Sequence, residues 1–383
     1  MNSSITQPAS ARGIRRFFRG LIGGCALVLA SASQATPFVL AYTDGQVEAS
    51  YGNLQAFHRN LSAVGLGSTY GLTVTGQLHQ EGMNDTTRQI IAFAKSRSLP
   101  LYPTVSDYNE GIGAFDPAIS HSIVNSKALS AGSIRQMMKL ARDAGFAGIN
   151  LDFEQVEPRN AKAFSAYVKA LGQALHAEGR KLIISVPPKV DDQQPEYLQG
   201  YDYRALGAAV DYFQLMTYDQ VGPGWSSGGF HGEVWPGPGT GLDWQQALLG
   251  YAASRVPAAK VLSGLATYGQ DYSIGNRVHW SAYPEIIAEH GAVTHLDAPS
   301  ATPYATWGPV KHFADGVQWT PERAQPVLWY DDARSIRTKA ALVGRLGLGG
   351  TSVWAMGYEN ADFWTALQAG LASGQALLPA GRQ

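Results

Sequence analysis

The sequence predicts an α/β fold: a (β/α)8 TIM barrel with a small α+β insertion between the seventh strand and its helix. Three observations lead there. Strand-like and helix-like periodicities alternate along nearly the whole chain of 383 residues. One strand, within Gly148-Ile149-Asn150-Leu151-Asp152-Phe153-Glu154, carries a polar stripe yet is bracketed by two amphipathic helices, as a central parallel strand is. No Gly-rich phosphate fingerprint follows the first strand, which argues against the open doubly wound sheet.

Residues 1–35 read as a signal peptide. Arg12, Arg15, Arg16 and Arg19 precede an apolar run from Leu21 to Ala30, and Ser33-Gln34-Ala35 is a small-x-small cleavage site. Arg15-Arg16-Phe17-Phe18 also admits a twin-arginine export signal. Ile22-Gly23-Gly24-Cys25 resembles a lipoprotein box, but the apolar run lies mostly after Cys25, against lipidation. Residues 36–383 would then be the exported barrel, periplasmic or extracellular. Cys25 is the only cysteine, so that part could use neither disulfides nor thiolate chemistry nor a cysteine-bound metal.

The formal net charge of -1 makes no electrostatic case for nucleic acid or an acidic membrane as partner. Beyond the leader no apolar stretch is long enough to span a bilayer, and a monomer is expected. The 9 Trp and 18 Tyr fit core packing, and they would equally suit a cleft in which flat rings stack on sugars.

Eight strands are expected at residues 38–42, 70–74, 101–105, 148–153, 182–186, 212–217, 261–266 and 351–355. A helix at 85–96 begins at an Asn84 or Asp85 cap, and one at 332–346 is capped by Asp332 and stopped by Gly347. The helix before the polar strand ends at Gly145. The one after it, with Phe164, Val168, Leu171 and Leu175 on one face, stops at Gly179. Residues 271–330 break the alternation and read as the insertion, forming one wall of a cleft. Residues 221–241, rich in Gly, Pro and Trp, suit a long βα loop, either a flexible surface loop or a substrate-contacting one.

The chemistry gathers at strand ends. Asn150, Asp152 and Glu154 lie in file on one face, successive members roughly 6.6 Å apart at about 3.3 Å per residue. Charged residues line a buried strand only when paired or used. Glu154 stands at the carboxyl end, where parallel α/β folds place their sites. The sixth strand runs Gln214-Leu215-Met216-Thr217-Tyr218-Asp219, and the last ends Ser352-Val353-Trp354. An acid, a charged partner, a hydroxyl donor and an aromatic floor together are the inventory of a glycosidase.

These residues resemble glycoside hydrolase family 18. Of its fourth-strand signature Asp-x-x-Asp-x-Asp-x-Glu, Asp152 and Glu154 match, while Ala147 and Asn150 replace the first two acids. Met216-Thr217-Tyr218-Asp219 matches Met-x-Tyr-Asp, and Trp354 the eighth-strand Trp. The third-strand Ser-x-Gly-Gly is not kept; Ser106-Asp107-Tyr108-Asn109 stands there. Gly148 to Glu154, Val186-Pro187-Pro188-Lys189 and the segment from Gly349 to Gly357 are most similar to the bacterial branch acting on spore cortex and peptidoglycan.

The resemblance implies a retaining hydrolase of β-1,4-linked N-acetylglucosamine glycans, with peptidoglycan placed somewhat ahead of chitin, and with no metal or organic cofactor. Glu154 would be general acid and then base. Asp152 would orient the substrate acetamide, which is itself the nucleophile, and Tyr218 would donate to its oxygen. Asn150, Gln214, Met216, Asp219 and Trp354 would contact substrate, with Trp354 as the floor. The Asn150 amide is expected to donate to Asp152, leaving Asp152 ionised and its charge holding Glu154 protonated. Asn150→Asp should then shift the pH–rate profile. Two other readings compete. A lectin-like protein on the same barrel would typically lose the acid, which is present here. A glucanase using Asp152 and Glu154 as nucleophile and acid is disfavoured, because its two carboxylates must flank the bond from opposite sides.

Overall fold

A computed structural model describes residues 36–193, 196–226 and 234–375. The expected signal peptide lies outside these residues. Eight parallel strands form a closed barrel: β1 (Phe38–Thr43), β2 (Ala63–Leu72), β3 (Leu101–Ser106), β4 (Gly148–Asp152), β5 (Lys181–Val186), β6 (Tyr212–Leu215), β7 (Val261–Ala266) and β8 (Gly350–Met356). Each pairs with the next, and β8 closes onto β1.

The expected strands match these to within two residues at either end, the sixth stopping at Leu215 rather than Thr217, except at the second. Residues 70–74 were expected there, whereas β2 begins at Ala63 and its first half pairs with β1. That half reads Ala-Val-Gly-Leu-Gly, and its glycines look like a loop in the sequence. In the barrel they make room: a Cβ on Gly65 would run into the Tyr42 ring, and one on Gly67 would lie 3.0 Å from the Trp354 indole. The glycines admit two aromatic rings to the barrel mouth.

The outer helices are α1 (Ser50–Phe57), α2 (Asp85–Ser96), α3 (Lys127–Asp143), α4 (Ala161–Ala177), α5 (Tyr203–Ala209), α6 (Leu242–Arg255), α7 (Ala333–Arg345) and α8 (Ala361–Gln375). Caps begin α2 and α7 where the sequence places them. The Asn84 side chain accepts from Thr87 N, and Asp332 and Ser335 form a capping box. Gly145, Gly179 and Gly347 take left-handed φ after α3, α4 and α7, where a side chain would be strained.

The main core lies between strands and helices. Ile149, Leu151 and Phe153 point outward from β4 and its end, fully buried, and the Phe153 ring stacks at 5.9 Å on Phe164 of α4. Each such side chain contributes about 1.5–3 kcal/mol. This burial fixes the register of β4, since a one-residue slip would turn the apolar file inward and the polar file onto the helices. Inside the barrel Leu40, Tyr42, Ala63, Tyr102, Ile183 and Leu262 fill the axis.

The insertion follows β7 and precedes α7, as expected, but begins a little earlier, at Tyr268. It is a five-stranded antiparallel sheet of segments Tyr268–Asp271, Asn276–His279, Val293–Asp297, Thr302–Thr306 and Val327–Trp329, with a short helix at Tyr283–Glu289. Trp235, from the long loop after β6, is fully buried against it. Its ring stacks at 4.4 Å on Phe313, and its Nε1 donates to Val317 O at 2.8 Å.

Candidate active site

The carboxyl ends of the strands surround a cleft of about 640 Å³. All eight residues singled out in the sequence line it: Asn150, Asp152 and Glu154 from β4 and its end, Gln214, Met216, Tyr218 and Asp219 from β6 and beyond, and Trp354 from β8. From the long loop after β6, Trp225 and Ser226 also line the cleft, as its substrate-contacting reading requires. Among the described residues no three His, Cys, Asp or Glu gather as metal ligands would. Nor, among them, is any helix long and apolar enough to cross a membrane.

At the bottom of the stripe Asn150 is tied to its two neighbouring strands, β3 and β5, and across the barrel to β1. Its Oδ1 accepts from the Tyr42 and Ser185 hydroxyls, each at 3.2 Å, and its Nδ2 donates to Thr104 Oγ1 at 3.2 Å. The expected donation to Asp152 is therefore corrected. Thr104 is the in-register partner of Asn150 on β3, and adjacent strands lie about 4.8 Å apart against about 6.6 Å between alternate residues of one strand. The amide reaches across rather than along.

Asp152 is left with an oxygen, Oδ1, that is buried and has no hydrogen-bond partner. Burial pushes its carboxyl up to about 7. Burial therefore works against the ionised Asp152 that the sequence leads one to expect. Glu154 is held well above the usual carboxylate range. Burial is the largest cause, followed by the charges of Asp152, Asp107 and Asp219, with Arg277 pulling the other way. Repulsion from Asp152 thus acts in the expected sense but second to desolvation.

Beyond β6 the chain leaves the regular ladder. Thr217 Oγ1 donates to Gly264 O of β7 at 2.7 Å, and Gly264 leaves space for the Tyr218 ring, whose Cε1 would sit 2.9 Å from a Cβ there. Burial raises the Tyr218 phenol well above its ordinary value, so it stays a proton donor. Asp219 takes φ +60°, a left-handed conformation that Asp tolerates better than most residues. Its carboxylate faces the insertion, accepting from Tyr268 OH at 2.8 Å and from Arg277 Nη2 at 2.6 Å. Gln214 Nε2 donates to Ser352 Oγ at 3.0 Å, while its Oε1 has no partner. Trp354 of β8 packs at 5.5 Å on Tyr42 of β1 and lines the cleft.

Tyr42, Thr104, Asp107, Ser185, Tyr268 and Arg277 also belong to the site but are not singled out as site residues by the sequence. Asp107 carried a usable signal, being an acid directly after a strand end. Tyr268 and Arg277 carried none, since they reach the site through the fold of the insertion.

A family model described as Glycosyl hydrolases family 18 matches residues 111–359. An uncharacterized glycosylase, YvbX, of Bacillus subtilis (strain 168) is 26% identical over 346 residues, 88% of this chain and 92% of that one. The cortical fragment-lytic enzyme of the same organism is 28% identical over 265 residues, 66% of this chain and 56% of that protein. Among solved structures, a class V chitininase from Pseudomonas fluorescens Pf-5 is 81% identical, covering 88% of this chain and 99% of its own, with a TM-score of 0.87. The barrel, the strand-end acids and this match agree: the chain belongs to glycosyl hydrolases family 18.

Proposed function

We propose that this glycoside hydrolase is an exported, retaining enzyme that cleaves β-1,4-linked N-acetylglucosamine glycans, chitin-type polymers ahead of peptidoglycan. The observation that carries this is the pair at the end of β4, a Glu154 carboxyl that burial and neighbouring acids push well above the usual carboxylate range and an unpartnered carboxyl oxygen at Asp152. Glu154 protonates the glycosidic oxygen as the substrate's acetamide oxygen attacks the anomeric carbon, and the C–O bond to the leaving sugar breaks. Asp152 Oδ1 accepts from the acetamide N–H and offsets the positive charge of the oxazolinium ion. Tyr218 donates to the acetamide oxygen and holds it in line. Glu154, now a carboxylate, takes a proton from water, which opens the ring with net retention. Both carboxyls come from one strand and its end rather than from opposite walls of the cleft, which suits a nucleophile supplied by the substrate.

Charge favours the neutral polymer. The ionisable carboxyls lining the cleft are Glu81, Glu110, Asp152, Glu154 and Asp219, and the one Lys or Arg among the described lining residues, Arg277, is bound to Asp219. Among the described lining residues no unpaired Lys or Arg is there to take a muramic acid carboxylate, whereas a neutral polymer needs none. The peptidoglycan reading is favoured by the relative named cortical fragment-lytic enzyme. Export rests on residues 1–35.

Chromogenic N-acetylglucosaminide oligomers test the reaction. Turnover by the wild type and loss of about 10²–10⁴-fold in Glu154→Gln is expected. Binding without turnover by the wild type would instead indicate a lectin-like protein. Mass spectrometry of products from chitin oligomers and peptidoglycan, digested side by side, separates the two substrates.

A further inference from the structure

Directly past β3, Asp107 is a fully buried acid whose two oxygens are both engaged by the backbone that carries the reaction. Oδ1 accepts from Glu154 N at 3.0 Å and Oδ2 from Gln155 N at 3.3 Å. The strand β4 ends at Asp152, so these N–H groups have lost their ladder partners at the point where the chain turns away. Unsatisfied and buried, each would be costly. Other side chains hold the rest of the turn. Tyr201 OH donates to Phe153 O at 2.7 Å and accepts from Val156 N at 3.3 Å, and Ser120 Oγ donates to Gln155 O at 2.7 Å. Of these clamps, only Asp107 grips the nitrogen of Glu154 itself.

We propose that Asp107 is a positioning residue for glycoside cleavage: its two-oxygen grip on the Glu154 and Gln155 nitrogens fixes where the Glu154 carboxyl stands in the cleft. The proposal rests on Glu154 being the general acid. Both oxygens acting as acceptors is the geometry of a carboxylate, and protonation would put a donor against one N–H. Burial pushes Asp107 up to about 8 against the pull of those N–H groups, so the carboxylate that both bonds describe fills in as the pH rises towards the alkaline limb.

The same carboxylate leaves a mark that a purely structural role would not. Glu154 faces Asp152 on its own strand, Asp107 from β3, Tyr218 and Asp219 from the end of β6, Arg277 from the insertion and Tyr201 from the segment after β5. Among these Asp107 adds negative charge behind the acid, which favours its protonated form. Removing that charge makes Glu154 lose its proton at lower pH.

The test is kcat and KM against pH for wild type, Asp107→Asn and Asp107→Ala on a chromogenic N-acetylglucosaminide oligomer, with a thermal melt of each. Asp107→Asn keeps size and one acceptor. It is expected to fold, to keep KM within about twofold and to lose at least about fivefold in kcat, since small misplacements of a reacting group are costly. Its alkaline limb should move to lower pH. Asp107→Ala, leaving both N–H groups bare, should lose more kcat or melt earlier. An Asp107→Asn enzyme with wild-type kcat, or one with reduced kcat and an unmoved alkaline limb, would overturn the proposal. A wild type that turns over none of these oligomers overturns the functional reading and this one with it. An active wild type confines the failure to Asp107.

Discussion

Arg277 donates to Asp219 at 2.6 Å, tying the hairpin of the insertion to the chain just past β6, across 58 residues of sequence. The Arg277 side chain is half-exposed and the guanidinium also lies over the Tyr268 ring. The contact therefore brings a cation to the rim of a cleft whose other charged lining residues, among those described, are acids.

Because that cation opposes the rise of the Glu154 carboxyl, Arg277→Ala should raise it further. The alkaline limb of kcat/KM, set by loss of the Glu154 proton, should move to higher pH by up to about one unit, limited by solvent screening. This is opposite in sign to the shift expected on removing Asp107. A pH–rate profile that moves down, or not at all, would contradict the placement of Arg277 in the acid's surroundings.

Asn150→Asp changes a group that accepts two hydroxyl bonds and donates one amide bond. A second buried carboxyl beside Asp152 makes ionisation of the pair harder, so the acid limb should move to higher pH, and the added charge should carry the alkaline limb in the same direction. Burying a second carboxyl in place of the neutral amide should cost about 1–3 kcal/mol, read as a lower melting temperature. An unchanged pH profile would sink the account.

Gly65→Ala tests the barrel mouth. Its Cβ would meet the ring of Tyr42, which is buried and bonded to Asn150, so the ring rather than a flexible chain end must yield. Overpacking of this kind costs about 1–3 kcal/mol. Both denaturant midpoint and kcat should fall together, because Tyr42 supports Asn150 and packs on Trp354. Wild-type stability with lowered activity would point to a local shift without strain.

Much of the barrel was legible because its signals are local. The alternation in Gly148 to Glu154 announces a strand with two unlike faces, and the faces and glycine stops of α3 and α4 place it at the centre of a parallel sheet. The position of Glu154 at a strand's carboxyl end follows from where that strand breaks. The first half of β2 was hidden for a local reason as well: Gly65 and Gly67 look like loop until the rings of Tyr42 and Trp354 are set against them.

By itself, then, the sequence determined the barrel, the insertion's place after the seventh strand, and the file of Asn150, Asp152 and Glu154 with Tyr218 and Trp354 near it. Only the tertiary structure decided who touches whom. Asn150 turns to Thr104 and not Asp152 because an adjacent strand is nearer than the next residue on the same face. Asp107 holds Glu154, and Arg277 holds Asp219, through strand order and an insertion hairpin. Hydrogen bonds act over about 3 Å, and residues far apart in sequence come that close only when the barrel has closed.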